Sequence, residues 1–340
     1  MAEKLRIGML GGGRIGKLHA TNIQNLVQDA EVVILADPFM NEAMEEFAKG
    51  IGIPKCSKDP ADVFNSPDVD AVFICSSTDT HADFIIQAAN AGKDISCEKP
   101  IHTDVKKINE ALAAVEKAGV KLQVGFVRRF DANHKAVHDA AASGKLGKRY
   151  VVKITSRDPE GPPMSYVAVS GGIFVDMMIH DIDMARYLAD SDIVEVSTFG
   201  ACLTDPHFAD YDDVDTAIVM LKFANGAIGV IDNCRTAPYG YDQRVEIHCE
   251  KGCVRDDNVI NNTAQVLTGD TVESAKPTWF FLERYNDAFV TEVNDFVNAV
   301  RNNTEVPAGG KDGLESVRVA IACKKSLLEG RPVKLEEIEK

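Results

Sequence analysis

One glycine string constrains this chain more than anything else in it. Gly11-Gly12-Gly13-Arg14-Ile15-Gly16 lies between an apolar run over residues 5–10 and a helix-patterned stretch over 15–28. The string G-x-G-x-x-G is weak evidence by itself. Here a strand pattern precedes it, a helix opens on it, and Asp37 closes the next apolar run 21 residues after Gly16. Gly11 then allows a tight turn, Gly13 lets the backbone approach a pyrophosphate, and Gly16 allows close packing of helix on strand. Arg14 and Ile15 carry the first helical N–H groups, which together with the positive dipole end favour an anion. Asp37 is placed to accept hydrogen bonds from ribose hydroxyls and to repel a 2′-phosphate, and Pro38 stands where NADP sites often carry an arginine. The pattern predicts a dinucleotide site that takes NAD in preference to NADP. A glycine-rich turn that binds nothing, or another nucleotide, is the weaker reading.

Around that string, apolar runs over 5–10, 32–36, 71–75, 94–96 and 121–125 alternate with helical patterns over 15–28, 41–48, 80–91 and 105–117. Strand–helix alternation of this kind builds right-handed βαβ units and a parallel sheet covered by helices. Residues 1–125 therefore read as an α/β Rossmann domain, with ligands at the carboxyl ends of its strands. Beyond residue 125 the rhythm changes. A helix over 131–142 and a strand over 149–156 precede a Pro/Gly-rich loop at 158–163, and a helix is expected over 173–188 after Gly171-Gly172. Residues 194–268 read mostly as β, with a hairpin turning at Asn225-Gly226. Helices over 284–300 and 312–328 close the chain, so 126–340 reads as an α+β domain with a mainly antiparallel sheet.

Charge narrows the partners. Lys and Arg total 37 against 52 Asp and Glu, a formal net charge of −15. Such a surface repels phosphate backbones and anionic lipid, which argues against nucleic acid and membrane. No apolar run approaches the ~20 residues that span a bilayer, and no signal peptide is evident. The eight cysteines are scattered, several within apolar runs, so they read as reduced residues of a cytoplasmic protein.

Several polar residues stand where chemistry could occur. Ser76, Thr78 and His81 follow the third strand pattern, and Glu98-Lys99-Pro100 follows the fourth. Ser76 and Thr78 suit either helix capping or a nicotinamide ribose. Lys99 reads as a solvated charge or as a cation beside a reacting hydroxyl. Asp176 and His180 stand four residues apart, with Asp183 three further on, amid apolar neighbours. On one continuous helix they share a face, as a general base with its orienting carboxylate or as a buried, merely structural pair. His134 and His138 share that spacing, but in a polar segment that reads as a solvated helix face. Cys249 and Cys253 flank a turn, and no metal site is expected.

These stretches resemble a known family. Gly11–Gly16 with Asp37, Glu98-Lys99-Pro100, and Gly171-Gly172 followed by Asp176 and His180-Asp181 are similar to the Gfo/Idh/MocA oxidoreductases. Within that family, 155–159, 170–174, 180–186 and 239–244 resemble the myo-inositol 2-dehydrogenases. The resemblance runs over essentially the whole chain. It implies a Rossmann domain followed by a large open sheet whose outer face is buried in a homo-oligomer, a dimer or tetramer. It implies Lys99, Asp176 and His180 as the catalytic group, and Arg129, Asp158, Asp183, Tyr241 and Tyr285 with Lys99 as contacts to a cyclic polyol. The implied reaction is NAD-dependent oxidation of myo-inositol at C2 to 2-keto-myo-inositol (scyllo-inosose). Another polyol or sugar, such as scyllo-inositol, D-chiro-inositol or glucose, is the alternative; a non-catalytic NAD-binding regulator is the rival from a different class.

Overall fold

The computed structural model describes residues 3–339. The described residues divide into two compact units, 3–130 with Asp287–Val317, and Asp131–Asn286 with Arg318–Glu339.

The first unit is built on β1 (Leu5–Leu10), β2 (Ala30–Ala36), β3 (Cys56–Ser57), β4 (Ala71–Ile74), β5 (Asp94–Cys97) and β6 (Leu122–Val124). They form one parallel sheet in the order β3-β2-β1-β4-β5-β6, reversing direction at β1/β4. α1 (Arg14–Leu26), α2 (Glu42–Gly50), α3 (Ala61–Phe64), α4 (Thr78–Asn90) and α5 (Val105–Ala118) connect the strands. Covered on both faces, the strands are mainly apolar runs rather than strict alternations; Ile7, Met9, Val72 and Phe73 are buried. α5 shows why its ends fall where they do. The Asp104 side chain accepts from Lys106 N–H at the start, and Gly119 takes φ 68° at the stop. β3, a two-residue edge strand, has no pattern to betray it in sequence.

The second unit begins with α6 (Ala132–Ala142) and β7 (Arg149–Arg157), then three short helices: α7 (Met164–Ser170), α8 (Gly172–Asp176) and α9 (Ile179–Ala189). β8 (Ile193–Ala201), β9 (Thr216–Phe223), β10 (Ile228–Cys234), β11 (Asp242–Cys249) and β12 (Gly252–Arg255) follow. A small hairpin of β13 (Gln265–Leu267) and β14 (Val272–Ser274) comes next, then α10 (Phe281–Arg284). α11 (Asn286–Asn302), α12 (Gly310–Glu329) and β15 (Val333–Lys334) end the chain. The sheet runs β12-β11-β7-β10-β9-β8-β15 and is antiparallel except where β7 and β10 pair in parallel. The expected hairpin joins β9 to β10: Gly226 takes φ 87° and the Asn225 side chain accepts from Ala227 N–H.

One face of this sheet, with Val152, Ile154, Val219, Leu221, Ile231, Val245 and Ile247, packs with residues of α6, α9 and α12. The opposite face carries Phe199, Ile218, Met220 and Ile228 exposed, with Phe199 opposite Ile218 across the β8–β9 pair.

Two expectations need correction. A single boundary near residue 125 does not describe the packing, because residues 287–317 join the first unit. Val293, Phe296 and Val297 of α11 enter the core built on Ile7, Met9 and Phe73, so a helix distant in sequence completes the parallel-sheet unit. The helix expected over 173–188 is also not continuous. Met177 and Met178 N–H groups both donate to the Ile173 carbonyl, at 3.1 and 2.8 Å, and the widened turn separates α8 from α9.

Candidate active site

In the first unit the candidate residues collect at the carboxyl edge of the parallel sheet. β1 delivers the glycine turn. A Cβ on Gly16 would lie 2.0 Å from the Gly11 carbonyl oxygen, and one on Gly11, at φ 98°, would lie 2.5 Å from Cys75 O. These two glycines serve packing. Gly13 is different: a Cβ there meets nothing within 4 Å, so the backbone is bare toward open space. Gly13 is also the N-cap of α1 and supplies no capping side chain to the helix N-terminus, whose dipole favours an anion.

β2 delivers Asp37, which is buried. Its Oδ2 accepts from Gly12 N–H at 2.7 Å and its Oδ1 from Phe39 N–H at 2.8 Å. β4 delivers Ser76, whose hydroxyl pairs with that of Thr80 at 2.7 Å, while Thr78 opens α4. His81 is buried, with Nδ1 2.8 Å from the Pro100 carbonyl and Nε2 3.1 Å from the Ser76 carbonyl. Both ring nitrogens are thus committed to backbone, and the ring ties two strand-end loops together.

β5 delivers Glu98 and Lys99. Glu98 Oε1 lies 3.0 Å from His19 Nε2 on α1, and a Cβ on Gly125 would press on its carboxylate at 3.0 Å. Glu292 of α11 is also buried. Burial, then the charge of Glu98, pushes its carboxyl well above the usual range. Arg129 follows β6 in a 3₁₀ turn; its guanidinium donates to Pro307 O at 2.8 Å and pairs with Asp312 at 3.0 Å.

In the second unit the candidates gather at the end of the sheet where β7 and β10 finish and β11 begins. Asp158 follows β7, and its N–H donates to Cys234 O at 3.0 Å. Asp176 ends α8 and His180 lies in the first turn of α9. Asp176 is held by two side chains that the motifs did not single out: the Tyr166 hydroxyl donates to Oδ1 at 2.8 Å and Arg235 Nη1 to Oδ2 at 3.0 Å. Asp183 is buried in α9. Tyr241 precedes β11, its ring 6.0 Å edge-on to that of Tyr285.

Tyr285 belongs to a buried polar network. Its hydroxyl lies 3.3 Å from His134 Nε2, and His134 Nδ1 lies 2.6 Å from Asp256 Oδ2. Arg284 in turn donates to both oxygens of Asp131, at 2.5 and 3.0 Å. Asp131, His134 and Asp256 offer ligand atoms within 4.8 Å of one another, and the Arg284 guanidinium already sits on Asp131. His134 is therefore not on a solvated face as the sequence suggested. His138, one turn on, is only part-buried and stacks on Tyr187 at 3.8 Å.

Two family models match the chain. Residues 5–126 match the oxidoreductase family's NAD-binding Rossmann fold, and residues 139–335 its C-terminal alpha/beta domain. The chain belongs to the Gfo/Idh/MocA oxidoreductase family. Among relatives, an uncharacterised oxidoreductase of Bacillus subtilis is 46% identical over 100% of this chain and 99% of its own length. The myo-inositol 2-dehydrogenase of Thermotoga maritima is 42% identical over 98% of this chain and 99% of its own. The solved scyllo-inositol dehydrogenase of Lactobacillus casei, with bound NAD(H) and scyllo-inositol, superposes with a TM-score of 0.91. It is 30% identical, covering 98% of this chain and 100% of that one.

NAD is the cofactor that the family implies, and the residues fit it. Gly13 leaves room that a Cβ would fill, the α1 N-terminus is open, and a carboxylate closes β2 without an arginine after it. The residues that sequence reasoning missed, Arg235, Tyr166, His19 and Glu292, pair with or face partners far off in sequence. Only Tyr166 is near, and it sits in a short helix that the pattern does not predict.

Proposed function

We propose that this family member is an NAD-dependent inositol 2-dehydrogenase that oxidises myo-inositol at C2 to 2-keto-myo-inositol (scyllo-inosose). The observation that carries the reading is the 42% identity, over 98% of the chain, with a protein named myo-inositol 2-dehydrogenase. The retention of Lys99, Asp176 and His180 in this chain agrees with it. Gly13 and the first turn of α1 hold the pyrophosphate in the turn that Gly11 and Gly16 allow to pack, Asp37 holds the adenosine ribose, and Ser76, Thr78 and Glu98 line the nicotinamide end. His81 fixes the loops around them.

When bound, NAD supplies a hydride acceptor. His180 takes the proton of the C2 hydroxyl, acting as general base near neutral pH. Asp176 orients the imidazole and balances its charge. Lys99 donates a hydrogen bond to the same oxygen and stabilises the developing alkoxide. Arg129, Asp158, Asp183, Tyr241 and Tyr285 recognise the remaining hydroxyls.

Supporting a homo-oligomer, dimer or tetramer, is the sheet face with Phe199, Ile218, Met220 and Ile228 exposed side by side, which a second copy would cover. The eight free cysteines agree with a reducing, cytoplasmic setting. No helix among the described residues is long and apolar enough to cross a membrane.

A second reading takes scyllo-inositol as preferred substrate, because a protein named scyllo-inositol 2-dehydrogenase is 36% identical over 99% of the chain. Initial rates of NAD and NADP reduction against myo-inositol, scyllo-inositol, D-chiro-inositol, glucose and xylose separate the two. Preference for myo-inositol with NAD is the expected result. NAD binding without turnover on any of them overturns the inositol reading and brings an untested substrate, or a regulator, to the front.

A further inference from the structure

Arg235 immediately follows β10 and is only 2% exposed. Its Nη1 donates to Asp176 Oδ2 at 3.0 Å, while the Tyr166 hydroxyl donates to Oδ1 at 2.8 Å. Both oxygens of the acid are therefore gripped from elements other than its own helix. The arginine is anchored in turn. Its N–H donates to Asp215 O at 2.8 Å. The Asp215 carboxylate, fully buried, accepts from Leu203, Thr204 and Asp205 N–H at 3.0, 2.8 and 2.9 Å and from the Thr216 hydroxyl at 2.7 Å.

Stability does not explain this residue. A buried ion pair contributes little to folding compared with an apolar side chain of similar volume. Arg235 is a particularly costly choice, because its Nε and Nη2 are buried with no acceptor among the described residues. What the guanidinium does supply is a permanent positive charge against Asp176. The two-sided grip restricts the carboxylate to one orientation.

We propose that Arg235 is a positioning residue for the reaction: with Tyr166 it fixes the Asp176 carboxylate so that the acid can serve His180. The inference rests on the catalytic reading of Asp176. Arg235 at the end of β10 and Tyr166 on α7 hold the acid directly. Asp213 stands at the other end of α8, where it accepts from Ile173 N–H at 2.9 Å. Of these, Arg235 is the cation paired with the carboxylate.

The test is a double-mutant cycle between Arg235→Gln and Asp176→Asn, read as kcat and KM for myo-inositol with NAD across pH. Arg235→Gln is expected to lower kcat by ~10-fold or more with KM little changed, and Arg235→Lys to restore part of the loss. On the Asp176→Asn background the same substitution is expected to cost less than ~3-fold, since residues acting as a unit are not additive. Equal losses on both backgrounds, or a loss carried by KM alone, overturn the inference. Asp176→Asn at full turnover overturns the catalytic reading of Asp176 and the inference with it. If Arg235→Gln does not fold, Tyr166→Phe, at a half-exposed tyrosine, runs the same cycle: a loss confined to the Asp176 background supports the grip, and equal losses on both overturn it.

Discussion

The N–H of Gly12 donates to Oδ2 of Asp37 over 2.7 Å, so one carboxylate joins the end of β2 to the glycine turn after β1. Phe39 N–H occupies Oδ1 at 2.8 Å. A carboxylate has about four acceptor positions, so roughly two remain for ribose hydroxyls. Asp37→Ser removes the charge that repels a 2′-phosphate and the charge-assisted bonds that favour NAD, each worth about 1.5–3 kcal/mol. The NAD/NADP ratio of kcat/KM is expected to fall by ~10- to 100-fold. An unchanged ratio would place cofactor choice elsewhere.

Gly13 and Gly16 occupy the same motif but should fail differently. Gly13 has φ −71°, which any residue adopts, and its Cβ position is open. Gly13→Val is expected to leave the melting temperature nearly unchanged and to weaken NAD binding by ~10-fold or more, because the side chain enters space the pyrophosphate needs. Gly16→Ala drives a methyl to 2.0 Å from a backbone oxygen. It is expected to destabilise by about 1–3 kcal/mol or more even without cofactor. Calorimetry and NAD titration on both variants check the contrast; equal melting losses would refute it.

Glu292 predicts a stabilising substitution. Burial and the nearby Glu98 charge raise its carboxyl above the usual range, and its Oε2 has no partner among the described residues. A raised acid stabilises the fold at pH below its ordinary ~4.3, and that contribution is lost as pH rises toward the folded pKa. Glu292→Gln removes the dependence. The variant should melt higher than the parent at pH 7.5, with the gap shrinking toward pH 5. A gap that widens on acidification would contradict the assignment.

How much of this the sequence shows depends on distance along the chain. The glycine turn, Asp37 and the Asn225-Gly226 hairpin are local devices, each set by backbone sterics within a few residues, and each stands where the pattern puts it. Type and spacing single out Asp176 and His180. The shared helical face that the spacing implies does not exist, because two methionines can sit in a helix or at its break with no change in pattern. His134 looks solvated in sequence because its neighbours on α6 are polar, while Asp256 and Tyr285, which bury it, lie 122 and 151 residues away. Arg235 is silent for the same reason: Asp176 is 59 residues off. The apolar stripe of α11 announces burial without saying against which sheet.

His81 yields the last expectation. Its ring spans the Ser76 and Pro100 carbonyls at 3.1 and 2.8 Å, and Pro100 is next to Lys99, so the imidazole braces the loop that presents the lysine. Burial lowers its pKa, and the two carbonyls oppose that without reversing it. The neutral ring is therefore the folded form. Its contribution to stability is present above the ordinary ~6.5 and is lost as pH falls through the lower folded value. The neutral ring carries a single N–H, so His81→Leu strands one carbonyl, at about 1–3 kcal/mol, and frees the loop. The melting temperature should drop by several degrees at pH 7.5 and by less at pH 5. Turnover should fall by ~10-fold or more, since a small misplacement of a catalytic group is costly. A variant that melts lower yet turns over at the parental rate would show that His81 supports the fold without positioning Lys99.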